Sequence, residues 1–289
     1  MDYFLIDTSA ALDARIMEWN GLDRIAVDFE CEFNLHIYGE HLCLIQVFDG
    51  SSYYIIDPRA NAISRESLLG FFTSPVKKVW FDCQSDNSLV FKKYGVTVNN
   101  ICDVRVYALA LGYTSNLVSL EREFLGTETV IEPAAKKRLQ QTNWLRRPLE
   151  KDQIEYALSD VSSLFALEDV LAAKAEAAGL AEACAKTMRE RQKPAESRPG
   201  WVTLGDWRRM SAEQRKNVKQ YYIARDKVAR RFNVPSFHVM DKRELLQFSL
   251  SCPSSKEAVL AFARKAGPRF RTQLQESMLQ AFDTIHSQD

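Results

Sequence analysis

Asp28 and Glu30 lie two apart in the apolar run Ile25-Ala26-Val27-Asp28-Phe29-Glu30-Cys31. In an extended strand such residues face the same side of the sheet, so the two carboxylates project together. Like charges so placed repel unless a cation lies between them, and carboxylate oxygens are the ligands Mg²⁺ and Mn²⁺ prefer. Alone, such a pair more often marks the exposed polar face of an antiparallel strand. Three further residues could join it. Asp86 follows the run 79–83 at the start of a helical pattern, where an acid also serves as an N-cap or a dipole partner. Tyr156 and Asp160 are four apart on a predicted helix, one above the other on a single face, where they also suit a core aromatic and a solvated neighbour. Converging on one point, these acids would make a site for divalent cations.

The elements that must hold these residues read as follows. Residues 24–33, 42–49, 52–57 and 77–83 are short, rich in Val, Ile, Phe and Tyr, and bounded by Gly, Asn, Asp or Pro, the signature of strands. Asp49-Gly50-Ser51 between the second and third predicts a hairpin turn, so the sheet should begin with consecutive antiparallel strands. Helical periodicity then appears over 85–94, 103–111 and 119–125, ending at Gly95, Gly112 and Gly126. One longer helix is expected over 150–178, with Tyr156, Val161, Leu164, Leu167 and Leu171 on one side. The expected fold class is therefore α/β: a mixed sheet flanked by helices. The stretch 192–200, with two prolines and a glycine, has linker composition, and beyond it the patterns 211–232, 242–251, 255–263 and 268–285 are all helical.

The division expected is residues 1–191 as the α/β domain, 192–204 as linker and 205–289 as a helical domain. Charge follows the same division. Residues 200–289 hold 16 Lys and Arg against 9 Asp and Glu, and residues 1–199 hold 22 against 29, so a neutral chain joins an acidic part to a basic one. With 46% hydrophobic and 26% charged residues the composition is that of a globular protein, and no apolar run approaches the length of a membrane span. Met1-Asp2-Tyr3-Phe4 lacks the basic start of a secretory signal, which predicts a cytoplasmic address. The six cysteines have no CxxC spacing and read as reduced, mostly buried thiols.

In order, Asp28-x-Glu30, Asp86 and Tyr156-x-x-x-Asp160 resemble the acidic set of the DEDD exonucleases, in the subgroup with tyrosine four residues before the last acid. Connecting segments extend the resemblance to the ribonuclease D-like enzymes: Leu44-Ile45-Gln46, Ile56-Asp57-Pro58, Ile101-Cys102-Asp103 and Asn143-Trp144-Leu145-Arg146-Arg147-Pro148-Leu149. There are departures, since Phe81 stands where that family commonly has histidine and Asn143 where it commonly has aspartate. Glu32, on the same strand face as Glu30, leaves a one-slot shift of the acidic set open.

The resemblance implies a ribonuclease H-like sheet and a 3′→5′ exoribonuclease acting on RNA with a free 3′ end, a transfer RNA precursor among the candidates. It also implies two Mg²⁺ or Mn²⁺ ions held by Asp28, Glu30, Asp86 and Asp160, a water oriented by Tyr156, and 5′-mononucleotide products. Residues 205–285 resemble the HRDC domain, through Tyr222, Ala224-Arg225-Asp226, Val228-Ala229, Val234-Pro235, Asp241, Leu245-Leu246 and Cys252-Pro253-Ser254-Ser255. In that module Arg208, Arg209, Arg215, Lys216, Lys219, Arg225, Lys227, Arg230 and Arg231 form a basic helical region suited to tracking phosphates. The rival expectations are a DNA 3′→5′ exonuclease and a non-catalytic RNA-binding module.

Overall fold

The computed structural model describes residues 2–127, 133–195 and 198–287. They group into two units, one of residues 1–32 with 41–195 and one of residues 33–40 with 196–289.

The first unit runs β1 (Tyr3–Ile6), α1 (Ser9–Trp19), β2 (Arg24–Phe33), β3 (Glu40–Phe48), β4 (Tyr53–Ile56), α2 (Arg65–Thr73), β5 (Lys77–Trp80), α3 (Gln84–Tyr94), β6 (Ile101–Asp103) and α4 (Val104–Ala110). It continues with α5 (Leu117–Leu125), α6 (Pro133–Gln140), α7 (Lys151–Ser162), α8 (Leu164–Ala177) and α9 (Ala181–Gln192). Among the described residues the sheet has six strands in the order β1-β4-β3-β2-β5-β6. The β3–β4 pair is antiparallel, joined through the expected turn at Gly50 (φ 99°), whereas β1 on β4, β5 on β2 and β6 on β5 are parallel. The sheet is mixed, as the alternation of short strands and helices predicts.

Strand alternation divides β2 between two cores. Ile25, Val27 and Phe29 pack with Leu12, Trp19, Phe71, Phe72 and Trp80. Ala26 packs on the opposite face with Val104, Val161, Leu164 and Leu167 of α4, α7 and α8. The strand is thus covered on both faces, and Asp28 and Glu30, in step with Ala26, look toward the α7 side. Helix ends follow local chemistry: α3 and α5 stop at Gly95 (φ 78°) and Gly126 (φ 65°), left-handed positions open to glycine without strain.

Several expectations are corrected. The single helix over 150–178 is two helices, α7 and α8, separated at Ser163. Periodicity misses this break because the apolar stripe continues through it, with Val161, Leu164 and Leu167 all in one cluster. Strands β1 and β6 and helices α1, α2, α6 and α9 are not among the elements expected from the sequence. In β1 only Ile6 is buried, so the alternation that marks a strand is absent.

The second unit contains α10 (Ala212–Phe232), α11 (Ser236–Val239), α12 (Lys242–Leu250), α13 (Lys256–Ala263) and α14 (Pro268–His286), with short 3-10 turns at Gly200–Thr203 and Trp207–Arg209. Ser211 and Gln214 form a capping box that starts α10, and Pro268 opens α14. Tyr221, Val228, Leu245, Val259, Phe262, Leu274 and Met278 form its core. Segment 33–40, between β2 and β3, groups with this unit, and the Tyr38 hydroxyl donates to Asp226 at 2.6 Å.

Candidate active site

The carboxylates of Asp28, Glu30 and Asp160 each offer an oxygen, and these oxygens lie within 4.8 Å of one another. Two come from one face of β2 and the third from α7, which packs over that face through Val161. Glu32 continues the alternation but is buried (2% exposed) and outside this group, so the cluster uses the first two acids of the strand.

Asp86, in the first turn of α3, stands outside the tight group but close enough for its charge to raise the Asp28 pKa. It accepts a hydrogen bond from the Cys31 thiol at 3.5 Å. Behind it, Arg191 in the last turn of α9 reaches Asp103 at 2.8 Å and Asp82 at 3.1 Å, while the Asn87 amide donates to the Gln192 carbonyl at 2.7 Å. These bonds tie the strand-to-helix turn that carries Asp86 to α9.

The electrostatics are those of acids crowded away from water. Burial, then the charges of Asp160 and Asp86, hold the Asp28 carboxyl well above the ordinary aspartate range; opposing them is the Trp80 indole N–H, which donates to Asp28 Oδ1 at 3.1 Å. Burial also pushes Asp86 up to about 7, partly countered by the Cys31 hydrogen bond. A group of carboxylates with raised proton affinity is one whose repulsion a bound dication would relieve. The oxygen-only donor set suits hard cations such as Mg²⁺ or Mn²⁺, so these residues fit the divalent ions the acidic spacing calls for.

Tyr156 lies one turn before Asp160 on α7, and its ring centroid is 6.2 Å from that of Trp144. Burial and the charges of Asp160, Glu30 and Asp28 drive its phenol pKa far upward, with a hydrogen bond to Asp160 adding to the shift. The hydroxyl therefore keeps its proton at neutral pH and can orient a neighbour by hydrogen bonding, but not abstract a proton.

A cleft of about 210 Å³ opens over these groups, lined by Asp28, Phe81, Asn116, Leu117, Gln140, Tyr156 and Asp160. Phe81, one of the departures noted in the sequence, is thus a wall of the cleft. The sequence reading missed Trp80, Cys31, Asn116 and Gln140. A tryptophan in an apolar strand and a cysteine between two acids read as packing residues, and nothing in their spacing reveals a bond to a carboxylate.

The basic residues proposed for the second unit are unevenly presented. Arg208, Arg209, Lys219, Lys227, Arg230 and Arg231 are exposed, and Arg215 and Lys216 are half-buried. Arg215 spends its guanidinium on the carbonyls of Trp207 and Arg208. Arg225 is a correction: it is 4% exposed, bonded to the Met240 carbonyl and packed against the Tyr222 ring, so it cannot track phosphates. Its position on the core side of α10, beside Tyr221, Ala224 and Val228, explains the burial.

All six cysteines are free thiols. Among the described residues no helix is long and apolar enough to cross a membrane.

Comparison with known proteins adds the lineage. Ribonuclease D of Acidiphilium cryptum is 25% identical over 265 residues, covering 88% of this chain and 65% of that protein. Ribonuclease D of Sphingobium indicum is 33% identical over 144 residues, covering 48% of this chain and 35% of its own length. The chain thus spans less than two thirds of either relative. Among solved structures, that of Escherichia coli RNase D, described as an exoribonuclease involved in structured RNA processing, superposes with a TM-score of 0.77 at 22% identity, covering 100% of this chain and 76% of that one. That likeness is one of fold. The model of the 3′-5′ exonuclease family matches residues 3–176, from β1 into the last turn of α8 and so across every acid of the cleft. A match over more than half of the chain means that this protein belongs to the 3′-5′ exonuclease family.

Proposed function

We propose that the chain is a ribonuclease D-like 3′→5′ exoribonuclease that hydrolyses the terminal phosphodiester of RNA and releases 5′-mononucleotides. The observation that carries this reading is the approach of Asp28, Glu30 and Asp160 to within 4.8 Å of one another beneath an open cleft. Ribonuclease D relatives of several organisms support RNA as the polymer.

Asp28, Glu30 and Asp160 would hold one divalent ion, and Asp28 with Asp86 would serve a second. Such ions, Mg²⁺ or Mn²⁺, would neutralise charge building on the phosphate and acidify an attacking water. The protein's own groups do the rest. Trp80 fixes one oxygen of Asp28, Cys31 fixes one of Asp86, and Tyr156 presents a protonated hydroxyl to align the water for attack. Phe81 and Leu117 give the terminal nucleotide an apolar wall.

The second unit would act as an HRDC-like grip, its exposed cations on α10 and the preceding turn meeting RNA phosphates. Natural substrates would be RNAs with a free 3′ end, such as transfer RNA precursors, in a cytoplasmic setting consistent with six free thiols.

The test is degradation of a 5′-labelled RNA bearing a single-stranded 3′ tail, with Mg²⁺, Mn²⁺ or EDTA, for the parent and Asp28→Asn. A metal-dependent ladder shortening from the 3′ end, lost in the variant, is expected. Trimming of single-stranded DNA but not RNA would replace the reading with a DNA exonuclease, and no cutting under any ion would leave a binding module.

A further inference from the structure

The cleft contains carboxylates, a phenol, two apolar walls and two neutral amides, Asn116 and Gln140. The acids and the tyrosine are committed to the phosphate and the water. The amides are not, and they differ in one physical respect. Gln140 is an exposed long side chain at the last residue of α6. Asn116 is the N-cap of α5, and its Oδ1 accepts the Ser119 N–H at 3.0 Å. That bond settles which end of the amide faces the helix: the oxygen is used by the cap, so the Nδ2 end points away from it. The adjoining Leu117 is 9% exposed and anchors the turn. Asn116 therefore carries a pre-oriented hydrogen-bond donor on the lip of a cleft whose floor is acidic.

A donor in that position has a natural partner in a ribose. A scissile phosphate held over Asp28 and Asp160 would bring the sugar of the departing nucleotide into the same cleft, which Asn116 lines. The group that separates RNA from DNA there is the 2′-hydroxyl, which accepts as well as donates. A carboxylate beside it could only accept, whereas an amide N–H can donate to the hydroxyl oxygen. Phe81, whose ring has the Arg105 guanidinium carbon 5.6 Å from its centre, offers a face that suits any base or sugar and so selects none.

We infer that Asn116 is the specificity-determining residue for the terminal ribose, donating from Nδ2 to the 2′-hydroxyl of the nucleotide being removed. The inference deepens the exoribonuclease reading and rests on it for the placement of the phosphate.

The experiment compares two RNA oligonucleotides identical except that one ends in a 2′-deoxynucleotide, using the full chain. The parent should prefer the ribose end in kcat/KM by about tenfold, the worth of one well-aligned hydrogen bond. Asn116→Ser keeps a cap acceptor and removes the amide, and Asn116→Gly, also tolerated at a cap, removes every side-chain donor and acceptor. Both should bring the preference to about twofold or less, a near-complete loss of that bond's contribution. The readout is the ratio between two substrates, so any loss common to both cancels. A parent with no preference, or a preference retained in both variants, overturns the assignment. Dissociation constants for the same pair, measured by fluorescence anisotropy with Ca²⁺, judge it separately from hydrolysis. If no RNA is cut yet the ribose end still binds more tightly and the variants lose that difference, the exoribonuclease reading fails while Asn116 stands.

Discussion

The indole N–H of Trp80 donates to Oδ1 of Asp28 at 3.1 Å, across the parallel pairing of β5 with β2. Trp80 is fully buried and set edge-on to Phe29, with ring centroids 4.3 Å apart, so the donor has little freedom to leave. A hydrogen bond to a metal-holding carboxylate fixes which oxygen faces the site. Trp80→Phe keeps the aromatic packing and removes the donor. Mn²⁺ binding measured by calorimetry should weaken by about tenfold, the low end for loss of such a partner. Unchanged affinity would mean that packing alone orients Asp28.

Asp28 stands in a field of like charge that its fold does not neutralise. Asp28→Asn should abolish nuclease activity and yet raise the melting temperature in EDTA, because one of the repelling charges is gone. Each kcal/mol relieved should appear as about 2–4 °C for a chain of this size. The parent alone should gain further stability on adding Mn²⁺. A variant that melts lower than the parent in EDTA would show that Asp28 is stabilising in its own right.

Tyr156 holds its proton too tightly to serve as a base. Tyr156→Phe should lower kcat by about 10²-fold with KM nearly unchanged, as expected for loss of an aligning group. The parent's pH–rate profile should show no alkaline limb that vanishes in the variant. Such a limb would restore the phenol as a proton acceptor.

Lys78 supplies a pH test away from the cleft. It is fully buried on β5, with Nζ 2.9 Å from the Ser74 carbonyl and 3.2 Å from that of Val76. Burial pulls its pKa down to about 7. A lysine pKa lower in the folded chain than in the unfolded one means that the unfolded chain binds more protons between pH 7 and the ordinary lysine range. Stability should therefore rise with pH across that window, by up to about 1.4 kcal/mol per unit. Lys78→Met should remove this slope, so the parent should gain on the variant from pH 7 to 10 in denaturant titrations. A constant difference between the two would show that the carbonyls keep the ammonium charged throughout.

Legibility in the sequence tracked the number of residues that carried one signal. Asp28 and Glu30 were readable because strand alternation is strict, and Tyr156 with Asp160 because one helical turn separates them. The four principal helices of the second unit, α10, α12, α13 and α14, were readable from helical patterns over 211–232, 242–251, 255–263 and 268–285. The break at Ser163 was hidden because burial of Leu164 and Leu167 continues the stripe of α7. Arg225 was misread because a cation in a basic run says nothing about which side of the helix it takes, and here it took the core side. Trp80 and Asn116 were invisible as site residues, since their roles depend on which strand or helix end the fold sets beside them.

Arg191 changes what counts as the smallest piece of chain able to hold the acidic cleft together. The matched family region stops at residue 176, and the guanidinium that neutralises the buried Asp103 sits fifteen residues further on. A polypeptide cut at that homology limit would keep every acid of the cleft and still leave the buried Asp103 carboxylate with backbone donors but no guanidinium partner, which is destabilising. The turn bearing Asp86 would be the first part to loosen. Shared ancestry marks out the acids of the cleft, but their mechanical boundary is drawn by a counter-ion on α9.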